Sequence, residues 1–75
     1  MKKKYETRNL HQKMEVLIQE MVEKDLDLKD ALREFEKIYI EMTSKKYQAN
    51  ITRMAKALGI HRNTLHNRIK SLKIK

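Results

Sequence analysis

One glycine and no proline punctuate this 75-residue chain, and the glycine, Gly59, falls inside the stretch ALGIHRNTLHNRIK at residues 57–70. A chain so poor in helix breakers is free to run as helices, and its single breaker then marks where one of them must stop sharply.

Apolar periodicity supplies the helices. Leu10, Met14, Leu17, Ile18, Met21 and Val22 recur at steps of three and four, which predicts a first helix over about 9–23. Lys24-Asp25-Leu26-Asp27 interrupts the pattern, and Asp27 followed by Asp30 reads as an N-cap with a first-turn acid. A second helix over about 28–44 carries Leu28, Leu32, Phe35, Tyr39 and Met42 on one face, with Ala31 and Ile38 beside them. Tyr47-Gln48-Ala49-Asn50 breaks the pattern again, and Asn50 suits the N-cap of a short third helix over about 51–58, with Ile51, Met54, Ala55 and Leu58 inward. Gly59 then occupies the first position past that helix, where the left-handed conformation carries no Cβ penalty, and Ile60 plugs the corner. A fourth helix begins near His61 or Arg62 and turns Leu65, Ile69 and Leu72 inward. That leaves Arg62, Asn63, Thr64, His66, Asn67 and Lys70 at its N-terminus or on its outer surface. The expected fold is all-α, with four helices, the last two forming a helix-turn-helix.

Size limits how such a chain is stabilised. A domain of this length buries only roughly 60% of its unfolded surface, and without cysteine it has neither a disulfide nor a thiolate metal site. Support must come from idealised helix packing or from a second chain. Met14, Met21, Met42 and Met54 read as core filler. No apolar run exceeds three residues, and Lys2 to Lys4 are followed by no apolar segment, so neither a membrane span nor a signal peptide is expected and the default location is the cytoplasm.

Charge is divided along the chain. Residues 1–42 hold nine Lys/Arg and ten Asp/Glu, whereas residues 43–75 hold nine Lys/Arg and no acid. Mixed signs in the first part fit a solvated surface with i,i+4 pairs such as Glu20 with Lys24. One-sign charge on a folded segment points to a polyanion, nucleic acid before membrane, because the basic segment lacks the bulky apolar face of an interfacial helix. The outward side chains have the right heads for base edges: Arg62 for a bidentate pair with guanine, Asn63 or Asn67 for adenine, Thr64 for a thymine methyl or a phosphate.

Other chemistry is poorly served. His61 and His66 are five apart, about 140° around a helix, which makes a poor metal pair. Thr64 beside either histidine has no carboxylate partner and no Gly-rich loop for oxyanion donors. Glu34, Glu36 and Glu41 fall at positions where a solvated face is expected, and no phosphate-binding G-x-x-x-x-G-K-[ST] is present. No enzyme activity, cofactor, metal or small-molecule substrate is expected.

The run Asn50-Ile51-Thr52-Arg53-Met54-Ala55-Lys56-Ala57-Leu58-Gly59-Ile60-His61-Arg62-Asn63-Thr64-Leu65, with Ile69-Lys70 after it, is similar to the Fis-type helix-turn-helix pattern N-x-T-x-x-A-x-x-L-G-I-x-R-x-T-L and its following hydrophobic-Lys pair. The same domain ends many NtrC-type activators of sigma-54 transcription, and Leu28-Lys29 through Phe35-Glu36-Lys37 also looks like the approach to the motif in those proteins. The resemblance covers about residues 28–74. It implies a homodimer built from the first two helices of each chain, through Leu10, Met14, Leu17, Ile18, Met21, Leu28, Leu32, Phe35, Tyr39 and Met42. It further implies that two fourth helices enter successive major grooves of double-stranded DNA, which is commonly bent, in a nucleoid or transcriptional role. On the same resemblance Arg62 leads base reading and His61 seconds it. Thr64, Asn67 and Lys70 lie near backbone or base edges, and Asn50, Thr52 and Arg53 fix phosphates. Residues 1–8 would be a flexible basic arm, 9–46 the dimerisation part and 47–75 the DNA-binding part.

Departures from the pattern matter. Ala49 stands where glycine is usual, so the exit from the second helix is expected to differ in shape. His61 replaces a better N-cap. His66 and Asn67 replace frequent Arg or Lys, leaving Lys45, Lys46, Arg53, Lys73 and Lys75 to make up charge. Two other readings remain open: a structural adaptor homodimer whose basic half docks on an acidic protein, and an RNA-binding protein, which the scarcity of aromatic stacking platforms disfavours.

Overall fold

A computed structural model describes the backbone of residues 2–74 and the side chains of residues 9–74. The described residues form helices and no strand: α1 (Lys2–Glu23), α2 (Leu28–Lys46), α3 (Ile51–Leu58) and α4 (Arg62–Leu72). The chain divides into two compact units, Met1–Ala31 and Leu32–Lys75.

In the first unit α1 begins at Lys2, so the backbone of residues 2–8 continues the helix where an arm was expected. Lys2 to Arg8 contain no breaker to stop it. The side chains of Lys2 to Lys4, and all of Lys75, lie outside the described residues. The helix ends on Asp25, which takes a left-handed φ of 58°. The Asp25 N–H donates to the Val22 carbonyl at 3.0 Å and the Leu26 N–H to the Met21 carbonyl at 3.3 Å, the paired bonds of a glycine-type C-terminal turn made without glycine. Lys24, already past the last helical residue, makes no pair with Glu20; among the described side chains of α1, His11 Nε2 lies 3.6 Å from Glu15 Oε2. Asp27 caps α2 as its position predicts, its Oδ1 accepting from the Asp30 N–H at 2.8 Å.

The core of the second unit is Ile40, Met54, Ala55, Leu65 and Leu72, with Tyr47, Ile51, Leu58, Ile60, Ile69 and Ile74 packed around it. For α3 and α4 these are the faces that periodicity predicts, and Ile60 does plug the corner. For α2 they are not. Its one buried residue is Ile40, whereas Leu28, Leu32, Phe35, Tyr39 and Met42 are all exposed. Ile40 of this helix and Tyr47 just past its end pack into the core with residues of α3 and α4, while the longer stripe at steps of four and three points elsewhere. Among the methionines Met54 is buried and Met21 half-buried, but Met14 and Met42 are exposed and fill no core within the chain.

The connection from α2 to α3 holds two consecutive left-handed residues, Gln48 (φ 55°) and Ala49 (φ 61°). The Ala49 N–H donates to the Ser44 carbonyl at 2.9 Å and the Asn50 N–H to the Tyr47 carbonyl at 3.0 Å. Ala49 therefore takes a left-handed conformation that glycine would enter freely, at a steric cost of about 1–2 kcal/mol. Ala49→Gly is expected to gain about 1 kcal/mol and to raise the melting temperature by about 4–8 °C, read by circular dichroism. A lower melting temperature would contradict the strain assigned to this corner.

Candidate nucleic-acid interface

Between α3 and α4 the chain turns on Gly59, at φ 71° and ψ 29°. The Gly59 N–H donates to the Lys56 carbonyl at 3.2 Å and the Ile60 N–H to the Ala55 carbonyl at 3.1 Å, so two of the carbonyls that the last turn leaves without helical partners are satisfied. A Cβ built on Gly59 meets no atom within 4 Å. The glycine is needed for its backbone angle, not for room. Gly59→Val should therefore lower stability by about 1–2 kcal/mol, while Gly59→Asn, which tolerates the left-handed region, should lose much less. Equal melting temperatures for the two variants would overturn that cause.

Asn50 caps α3 in the manner its sequence position predicts, its side-chain oxygen accepting from the Arg53 N–H at 3.1 Å. Thr52 and Arg53 follow on the exposed side of α3. His61 occupies the N-cap of α4 without a side-chain capping bond. The first intrahelical bond there runs from the Leu65 N–H to the His61 carbonyl at 2.9 Å. The N–H groups of Arg62, Asn63 and Thr64 thus stay open at the positive end of the helix dipole.

Along α4, Leu65 and Leu72 are buried and Ile69 half-buried, while Arg62, Asn63, Thr64, His66, Asn67 and Lys70 are all exposed. At about 100° per residue, Asn63, Asn67 and Lys70 form one outward row opposite Leu65. Thr64 lies on one flank of that row. On the opposite flank lie His66, at the edge of a shallow apolar cleft with Ile51, Ile69 and Ile74, and Arg62, about 100° around from Asn63 in the first turn. Among the described residues no group of three His, Cys, Asp or Glu side chains is placed to hold a metal ion.

Arg68 stands apart from this row. Its Nε meets Glu36 Oε2 at 2.8 Å, and Arg33 Nη2 donates to the Ser71 carbonyl at 2.9 Å. Glu36 is therefore half-buried and paired, not part of a freely solvated face. Neither contact declares itself locally, because the partners lie 32 and 38 positions apart. One signal was available: Arg68 sits beside the inward positions Leu65, Ile69 and Leu72 in the helical period, within reach of whatever packs on that side of α4.

A short helix, a left-handed corner and a second helix with a polar, cationic outer row define a helix-turn-helix. The model of the bacterial regulatory protein family named for Fis matches residues 31–72, more than half of the chain, and the chain belongs to that family. No curated protein accompanies that match. Membership of a DNA-binding regulatory family agrees with the cationic helix-turn-helix, and no helix among the described residues is long and apolar enough to cross a membrane.

Proposed function

We propose that this protein is a homodimer that binds duplex DNA through the major groove, as a transcriptional regulator or a DNA-bending factor. The observation that carries the reading is the outer row of α4. Asn63, Asn67 and Lys70 form it, with Arg62, Thr64 and His66 exposed on its flanks, and the segment of residues 43–75 that carries it holds nine Lys/Arg and no acid. Arg62, at the start of α4, is the leading base reader, with Asn63 and Asn67 suited to adenine and Thr64 to a thymine methyl or a phosphate. The open N–H groups beside His61 and the guanidinium of Arg53 suit phosphate oxygens. Since the oxygen of Asn50 is taken by its cap, a phosphate meets its NH2 group. His66 and Lys70 add polar and cationic contacts at the edges of the row.

The exposed stripe of α2 supports the dimer. Leu28, Leu32, Phe35, Tyr39 and Met42 repeat at steps of four and three, the spacing of a seam between helices. Phe35 and Tyr39 already pair, with ring centroids 5.8 Å apart, on a face that the chain itself leaves open. Leu10, Met14, Leu17 and Ile18 are likewise exposed on α1, with Met21 half-buried below them. So many large apolar side chains on a chain this short call for burial by a second copy. Competition of a labelled duplex of about 25–30 base pairs, long enough for two grooves one turn apart, against RNA and against an acidic polypeptide tests the reading. Duplex should be retained over both competitors; displacement by RNA or by the polypeptide at lower concentration would favour the corresponding alternative.

A further inference from the structure

The two polar contacts between α2 and α4 share a geometry that goes beyond fold stability. Arg33, Glu36 and Ile40 follow one another at steps of three and four, so they lie on one face of α2. On α4 their partners, Arg68 and Ser71, are three apart and lie on one flank of the line made by buried Leu65 and Leu72. Apolar packing along a single line holds a helix down but resists rolling about that line poorly, because dispersion contacts are non-directional. Directional contacts on one flank oppose that roll. The Ser71 carbonyl belongs to the last turn of α4, whose carbonyls lack partners within the helix, and the Arg33 guanidinium both satisfies it and sits at the negative end of the helix dipole. Glu36 in turn neutralises Arg68, the one basic side chain of α4 found in an ion pair among the described residues.

We infer that Arg33 and Glu36 are positioning residues: they latch the roll of α4 on α2, so setting how sharply the outer row distinguishes one DNA sequence from another, and they withhold Arg68 from phosphate. The inference rests on the DNA-binding reading and deepens it. A roll on the order of 10–20° suffices to spoil a set of directional contacts, so the latch governs selectivity more than affinity.

The probes are the duplex that the unaltered protein selects from a randomised pool and a scrambled duplex of the same composition. Arg33→Ala and Glu36→Gln should each lower the ratio of selected to scrambled affinity about three- to tenfold, the effect of one partly exposed charged contact. Glu36→Gln should also steepen the salt dependence by about one phosphate contact per chain as Arg68 is released. Arg33→Lys, which keeps a donor, should retain most of the ratio. A contact that merely stabilises the fold would lower the melting temperature and leave the ratio unmoved. Ratios unchanged in both Arg33→Ala and Glu36→Gln overturn the latch while leaving DNA binding intact. Residual dipolar couplings of the α4 amides relative to those of α2, measured without DNA, test the latch independently: reorientation in Arg33→Ala supports it and an unchanged orientation overturns it. They decide the matter even if the protein binds no duplex, an outcome that would instead refute the proposed function.

Discussion

Arg62→Ala is expected to weaken binding to a selected duplex by about 1–3 kcal/mol at each half-site, about 2–6 kcal/mol for a two-fold complex, and to flatten sequence preference at the base pairs it meets. The size follows from chemistry: a guanidinium bonds both the O6 and N7 acceptors of guanine, and alanine replaces neither bond. Arg62 is exposed at the first position of α4 and is part of no ion pair among the described residues. Its loss should therefore move stability by no more than about 0.5 kcal/mol. A gel-shift comparison of selected and scrambled duplexes separates base reading from phosphate attraction. Equal losses on both duplexes would reassign Arg62 to the backbone, and no loss on either would remove it from the interface. Lys70→Ala makes the useful contrast, since removing a phosphate-binding cation should weaken both duplexes alike.

The second large effect lies beneath the outer row of α4. Leu65 is completely buried, and Met54 nearly so, where α3 and α4 meet α2. Leu65→Ala removes a side chain from the centre of a core of five buried residues and should cost about 2–5 kcal/mol. A chain of this size has only about 4–11 kcal/mol to lose. The melting temperature should fall by more than about 10 °C, and DNA binding at physiological temperature should fail with it. A variant melting within a few degrees of the parent would mean that α4 is not anchored through Leu65.

Most of the local geometry around the candidate site was legible because helix-turn-helix geometry is written in local signals. Asn50 and Asp27 cap helices through side chains only three residues from their partners, Gly59 supplies a backbone angle that few other residues accept, and the inward residues of α3 and α4 follow one helical period. What escaped has two sources. On α2 the apolar period from Leu28 to Met42 marked a face that the chain does not bury, and it hid the single inward Ile40. The other source is separation along the chain. Glu36 with Arg68 and Arg33 with Ser71 meet only after folding, so Glu36 looked like any solvated acid. Left-handed Asp25 and Gln48 gave no signal of their own, and Ala49 was marked only as a departure from a usual glycine. The start of α1 at Lys2 was missed for a simpler reason: three successive lysines carry no apolar stripe to follow.

The most direct test is the mass and salt dependence of the complex with a duplex of about 25–30 base pairs, followed by analytical ultracentrifugation. Two chains should sediment with each duplex, with a log-log salt slope on the order of minus 5 to minus 9, as expected for about 6–10 phosphate contacts. A chain that stays monomeric at micromolar concentration and sediments apart from DNA even in dilute buffer would contradict the paired, groove-reading function outright.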